Sequence, residues 1–149
     1  MTRLLLASNL RDFTPKLDRV FDRPLAEMAV VCIPTAAAGE DNIDRWLIPE
    51  KAALRDRVKS FTEFDLQGKT PEQVRHALAH ANIICLTGGN TYFLLEHVQK
   101  SGFAQALKPC LDHGAWYVGA SAGTVLACPD IDYIRAMDKP DRAQLTDFT

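Results

Sequence analysis

A chain of 149 residues, 47% hydrophobic and 24% charged, has the size and balance of one soluble globular domain spanning residues 1–149, not of a disordered or repetitive polymer. Its formal net charge is −2, with 17 Lys and Arg scattered among 19 Asp and Glu and no basic block, which argues against nucleic acid or an anionic membrane surface as a partner. No apolar run nears the roughly 20 residues that span a bilayer, and MTRLLLASNL turns polar too soon for a secretory signal, so the cytoplasm is the expected compartment.

In chain order, five short apolar runs read as strands: RLLLAS (3–8), MAVVCIP (28–34), SFTEFDL (60–66), NIICLTGG (82–89) and AWYVGAS (115–121). Four are almost continuously apolar, the pattern of central parallel strands covered on both faces; SFTEFDL is mixed and belongs nearer an edge. Between the runs lie helical segments. Residues 35–43 read as a loop near the ligand side and 44–59 as a helix. Thr70, Pro71 and Gln73 give a capping box with Pro in the first turn, predicting a helix over 71–80 with Val74, Leu78 and Ala81 on one face. Residues 91–102 have helical spacing and stop at Ser-Gly, and 103–114 also end on Gly, with Pro109 expected to kink or split that helix. This alternation predicts an α/β fold: a doubly wound, mainly parallel sheet with helices on both faces, in which ligands collect beyond the carboxyl ends of the strands.

Cys32, Cys85, Cys110 and Cys128 are far apart, with no Cys-x-x-Cys pair and no histidine at zinc spacing, so neither a metal site nor another cofactor is expected. VVCIP, IICLT and LACP surround three of these thiols with apolar residues, the setting of buried structural cysteines.

Two strand ends carry chemistry. Gly119, Ala120, Ser121, Ala122 and Gly123 match Gly-x-Ser-x-Gly after a buried strand, the turn that holds a nucleophilic hydroxyl exposed. The backbone N–H of Ala122 and the start of the next helix fall beside that hydroxyl, where a developing oxyanion needs donors. Gly88, Gly89 and Asn90 follow the other strand: paired glycines let the backbone approach a substrate, Gly89 N–H can join Ala122 as an oxyanion donor, and Asn90 can cap the helix that follows. Gly88 and Asn90 are assigned to substrate binding.

LTGGNTYFLLEHVQKSGF followed by GAWYVGASAGTVLACPDI resembles the dipeptidase E (alpha-aspartyl dipeptidase) group of serine peptidases, relatives of the class I glutamine amidotransferase-like, flavodoxin-like fold. The resemblance runs from RLLLASN to about Asp138. It implies a peptidase acting on short peptides with N-terminal aspartate, Ser121 as nucleophile, Gly89 and Ala122 as oxyanion donors and, from AMDKP, Asp138 as the triad acid; Asp130, Asp132 and Asp141 lie nearby as alternatives. It also implies a histidine beyond the acid, in a Pro-His pair after another strand. None follows Asp138. His76, His80, His97 and His113 all precede Ser121, and none is expected within reach of it.

The expectation is therefore a carboxyl-terminally shortened form of a longer peptidase, severely impaired for want of a base, with a homodimer covering the apolar surface that the missing strands would leave open. The missing histidine is also compatible with a short protein that binds without hydrolysing, and with a base supplied by a partner subunit. A cyanophycinase-like hydrolase acting on aspartyl polymers is a third functional class.

Overall fold

The computed structural model describes residues 1–143. Five parallel strands, β1 (Arg3–Ala7), β2 (Ala29–Ile33), β3 (Ser60–Glu63), β4 (Ile83–Leu86) and β5 (Trp116–Ala120), form one sheet in the order β1-β5-β4-β2-β3. Parallel neighbours need connections that cross a face of the sheet, and both faces are covered. Helices α2 (Pro71–Leu78), α3 (Thr91–Ser101), α4 (Phe103–Asp112) and the short α5 (Ala122–Val125) lie on one face, where Val31, Ile84 and Leu86 meet Leu78, Leu94 and Phe103. Helix α1 (Asp44–Arg55) and the segment after β1, with 3-10 turns at Thr14–Arg19 and Leu25–Glu27, pack on the other through Leu54, Leu10, Leu17 and Leu25 against Val30, Ile83 and Val118. The sheet and its two helical layers are the doubly wound α/β architecture expected from the alternation.

Local chemistry fixes the helix ends. Thr70 accepts from Gln73 N–H at 3.3 Å while Gln73 accepts from Thr70 N–H at 2.9 Å, closing the capping box at α2. Gly102 ends α3 in the left-handed region at φ 68°. Helix α4 runs unbroken through Pro109, so the helix is not split there. Pro109 and Gln105, whose carbonyl it leaves without the usual donor, both lie on the exposed side.

Three further departures have physical causes. Strand β1 is an edge strand, not a central one: burial alternates along it, and Leu4 and Leu6 are 50% and 44% exposed, an alternation that the unbroken run of leucines conceals. Cys128 is exposed because LACP leads out of α5 onto the surface, whereas Cys32 and Cys85 are buried as expected. Residues 35–43 begin with a 3-10 turn, Thr35–Gly39, pressed onto α3 so closely that a Cβ on Gly39 would lie 2.8 Å from Asn90 Cβ and Phe93 Cβ. No described helix is long and apolar enough to cross a membrane.

The connections leaving β4 and β5 pass over the first face; α1 and the segment after β1 pass over the second. Neighbouring strand ends therefore diverge, opening a crevice above the carboxyl edge of the sheet.

Candidate active site

Ser121 sits on that edge, immediately after β5. Its backbone has φ 47° and ψ −109°, a torsion that side-chain-bearing residues rarely adopt and that costs about 1–3 kcal/mol. Neighbouring strands hold it there. Ser121 N–H donates to Ala7 O of β1 at 3.0 Å, and Ser121 O accepts from Thr124 N–H at 2.8 Å and Val125 N–H at 3.0 Å. The Thr124 hydroxyl lies 2.8 Å from both Ala7 O and Gly119 O, and accepts from Ala7 N–H at 3.2 Å, tying β1 to β5 beneath the turn. The flanking glycines are required by close approach: a Cβ on Gly119 would lie 2.5 Å from Gly123 O, and one on Gly123 would lie 2.4 Å from Leu86 O of β4. The outcome is an exposed hydroxyl on a sharply bent, over-determined backbone.

The turn after β4 faces it. A Cβ on Gly88 would come 3.2 Å from Ser121 Cβ, so the two segments are in direct apposition. Gly89 has φ 136°, and a Cβ there would collide with the Ala36 carbonyl at 2.2 Å, so only glycine serves at this position. Among the described residues neither Gly89 N–H nor Ala122 N–H donates a hydrogen bond to the protein. Asn90 is wholly buried and caps α3, accepting from Phe93 N–H at 3.0 Å. Its amide also donates to Lys139 O at 3.1 Å and Glu40 Oε1 at 3.3 Å, so the side chain is spent on internal partners and does not border the crevice.

Ser121, Gly88 and Gly89 form one wall of a cavity of about 540 Å³. A second wall comes from the loop after β1 and from α1, with Asn9, Arg11, Arg45, Trp46 and Glu50. Sequence reasoning passed over all five. Arg11 and Arg45 give this wall positive charge, and Trp46 closes over the Gly88 turn. Glu50 is only 5% exposed. Its Oε1 accepts from Leu10 N–H at 2.5 Å, and burial pushes its carboxyl up from the usual range against the smaller opposing effects of that bond and of the Arg11 charge. The signal that could have found it is a carboxylate on the apolar stripe of α1, three residues after buried Leu47 and four before buried Leu54.

Asp138 does not border this cavity. It reaches the start of α3, where Oδ2 accepts from Thr91 N–H at 2.7 Å, and it is half-buried, whereas Asp130, Asp132 and Asp141 are exposed. The histidines also lie elsewhere. His76 and His80 are exposed around α2. His97 packs edge-on against Phe93 in α3, where burial lowers its pKa. His113 follows α4, at the amino end of β5, with Nδ1 2.6 Å from Pro109 O. No imidazole of the chain lines the Ser121 cavity, and no cluster of metal-ligating side chains occurs among the described residues.

The same chain is similar to known peptidases. Residues 4–149 match the model of peptidase family S51. An uncharacterized peptidase of Pasteurella multocida (strain Pm70) is 33% identical over 151 residues, which cover 100% of this chain and 72% of that protein. The peptidase E of Citrobacter koseri is 40% identical over a 55-residue stretch, 37% of this chain and 24% of that one. The crystal structure of a candidate peptidase E protein from Listeria monocytogenes EGD-e superposes with a TM-score of 0.91 at 30% identity, covering 99% of this chain and 73% of that chain. A peptidase from an acI-B1 actinobacterium shares the fold, with a TM-score of 0.61 at 20% identity over 91% of this chain and 60% of its own.

Proposed function

Since the chain belongs to peptidase family S51, we propose that its fold serves a serine peptidase that cleaves short peptides after an N-terminal aspartate through an acyl-enzyme on Ser121. The observation that carries this reading is the strained, exposed Ser121 packed directly beside Gly88 on one wall of the cavity. In the proposed reaction Ser121 Oγ adds to the scissile carbonyl carbon as its proton passes to a base. The carbonyl oxygen takes up negative charge opposite Gly89 N–H and Ala122 N–H, two amides with no protein acceptor among the described residues. The C–N bond breaks, the leaving amine takes the proton, and water hydrolyses the ester by the same steps. Arg11 and Arg45, which line the same cavity, are the groups suited to a substrate carboxylate. Asp138 is the acid proposed to orient the base, since only its Oδ2 is engaged by the Thr91 amide.

The base itself is not among the chain's four histidines, none of which borders the cavity, so these 149 residues alone are expected to hydrolyse peptides poorly. Treatment with a fluorophosphonate tests the nucleophile directly. Slow labelling that disappears in Ser121→Ala, and that accelerates when free imidazole is added, is the expected result. Labelling no higher than that of Ser121→Ala, with or without imidazole, would replace the peptidase reading with that of a binding module on the same fold.

A further inference from the structure

Glu50 is the buried carboxylate of the cavity, and the acyl-transfer chemistry leaves it unused. It lines the same cavity as Ser121, and one of its oxygens is occupied by Leu10 N–H. No Lys, Arg or His lies within ion-pair distance of it among the described residues, and its second oxygen receives no protein donor there. A nearly buried carboxylate without a cationic partner is costly, and the usual compensation is a counter-ion with hydrogen-bond donors. Arg11 is close enough to act on Glu50 through its field but forms no ion pair with it, its nearest carboxylate being Asp12 at 3.7 Å. The cavity thus has an unmatched negative group inside it and two guanidinium groups, Arg11 and Arg45, on the same wall.

We propose that Glu50 binds the free α-ammonium group of the substrate's first residue, making the cavity specific for peptides with an unblocked amino terminus. This rests on the reading of Ser121 as the nucleophile. In a peptide cut after its first residue, the α-nitrogen is two bonds from the attacked carbonyl carbon, about 2.5 Å away. Whatever recognises that ammonium must therefore share a cavity with the nucleophile, and among the described residues Glu50 is the one carboxylate that lines it. An ammonium offers three donors to the open oxygen and removes the penalty of the buried charge. An N-acylated peptide would bring a neutral amide to the same place and leave the carboxylate unpaired.

Binding measured by calorimetry separates these cases without requiring turnover. The probes are the dipeptide Asp-Ala and its N-acetyl derivative, titrated into the unmodified chain and into Glu50→Gln, whose amide keeps an acceptor for Leu10 N–H. The expected result is at least about tenfold tighter binding of Asp-Ala than of the N-acetyl form to the unmodified chain, and a ratio near one for Glu50→Gln. Equal binding of the two peptides by the unmodified chain, failure of Asp-Ala to bind at millimolar concentration, or a preference that survives Glu50→Gln would overturn the inference. The first comparison needs no variant and so stands even if Glu50→Gln is unstable. Fluorophosphonate labelling is read separately: a labelled Ser121 with no amine preference defeats the Glu50 inference alone, and an amine preference without labelling defeats the peptidase reading alone.

Discussion

The two walls of the cavity are built on different principles. On one side, Ser121 and the Gly88–Gly89 turn are fixed by backbone: strand-end hydrogen bonds, a left-handed torsion and glycines with no room for a methyl group. On the other, Arg11, Arg45, Trp46 and Glu50 project from a loop and a helix, and only Glu50 is buried. The backbone wall is suited to holding a reacting atom still. The side-chain wall is suited to recognising which molecule arrives, and side chains there can be exchanged with little cost to the fold.

If this division holds, substitutions on the backbone wall should cost stability and those on the other should cost binding. The largest effect is expected for Gly89→Ala and Gly123→Ala, whose new methyl groups would meet the Ala36 and Leu86 carbonyls at 2.2 and 2.4 Å; each should lose about 3 kcal/mol in chemical denaturation and with it the fluorophosphonate labelling of Ser121. Asn90→Ala comes next. Removing a buried cap that also holds Lys139 and Glu40 should cost about 2 kcal/mol, measured the same way.

Glu50→Gln inverts the sign. Burial raises the folded-state pKa of Glu50 above its unfolded value, so ionisation weakens the fold once the pH passes the ordinary carboxylate range, and the loss is complete above the raised value. The nearby Arg11 charge and the Leu10 amide reduce this penalty without abolishing it. Glu50→Gln should therefore melt at a higher temperature than the unmodified chain at neutral pH, with the gap closing as the pH falls through the raised pKa towards the unfolded one. The smallest effect on stability is expected for Arg11→Ala, within about 0.5 kcal/mol, because its side chain is exposed; calorimetry should nevertheless show weaker binding of Asp-Ala than of Ala-Ala relative to the unmodified chain. A large destabilisation by Arg11→Ala, or none by Gly123→Ala, would erase the distinction between the walls.

The same contrast explains what could be read from the sequence. Gly119 to Gly123 and Gly88 to Asn90 are contiguous in the chain, and each follows an apolar strand, so their turns and the α3 cap were legible. The second wall joins residues near 10 to residues near 45, a proximity created only when α1 packs beside the segment after β1. No local pattern records it, except for the single carboxylate on the apolar stripe of α1. The bond from Asn90 to the Lys139 carbonyl and the seating of Asp138 on Thr91 N–H were hidden for the same reason, being contacts between segments almost fifty residues apart. Edge position was legible for β3, where polar residues interrupt the run, and not for β1, where exposed and half-buried leucines alternate under one letter.

The backbone of Ser121 is anchored to β1 through Ala7, to β5 through Gly119 and Thr124, and against β4 through Gly123. Its coordinates are thus indexed to the sheet and owe nothing to the rim. A lineage could lengthen, shorten or replace the stretches around residues 10 and 45, and so change its diet of peptides, while the hydroxyl stayed parked in the same place. Grafting those stretches between relatives should accordingly move preference from one scaffold to another and leave the serine's torsion untouched.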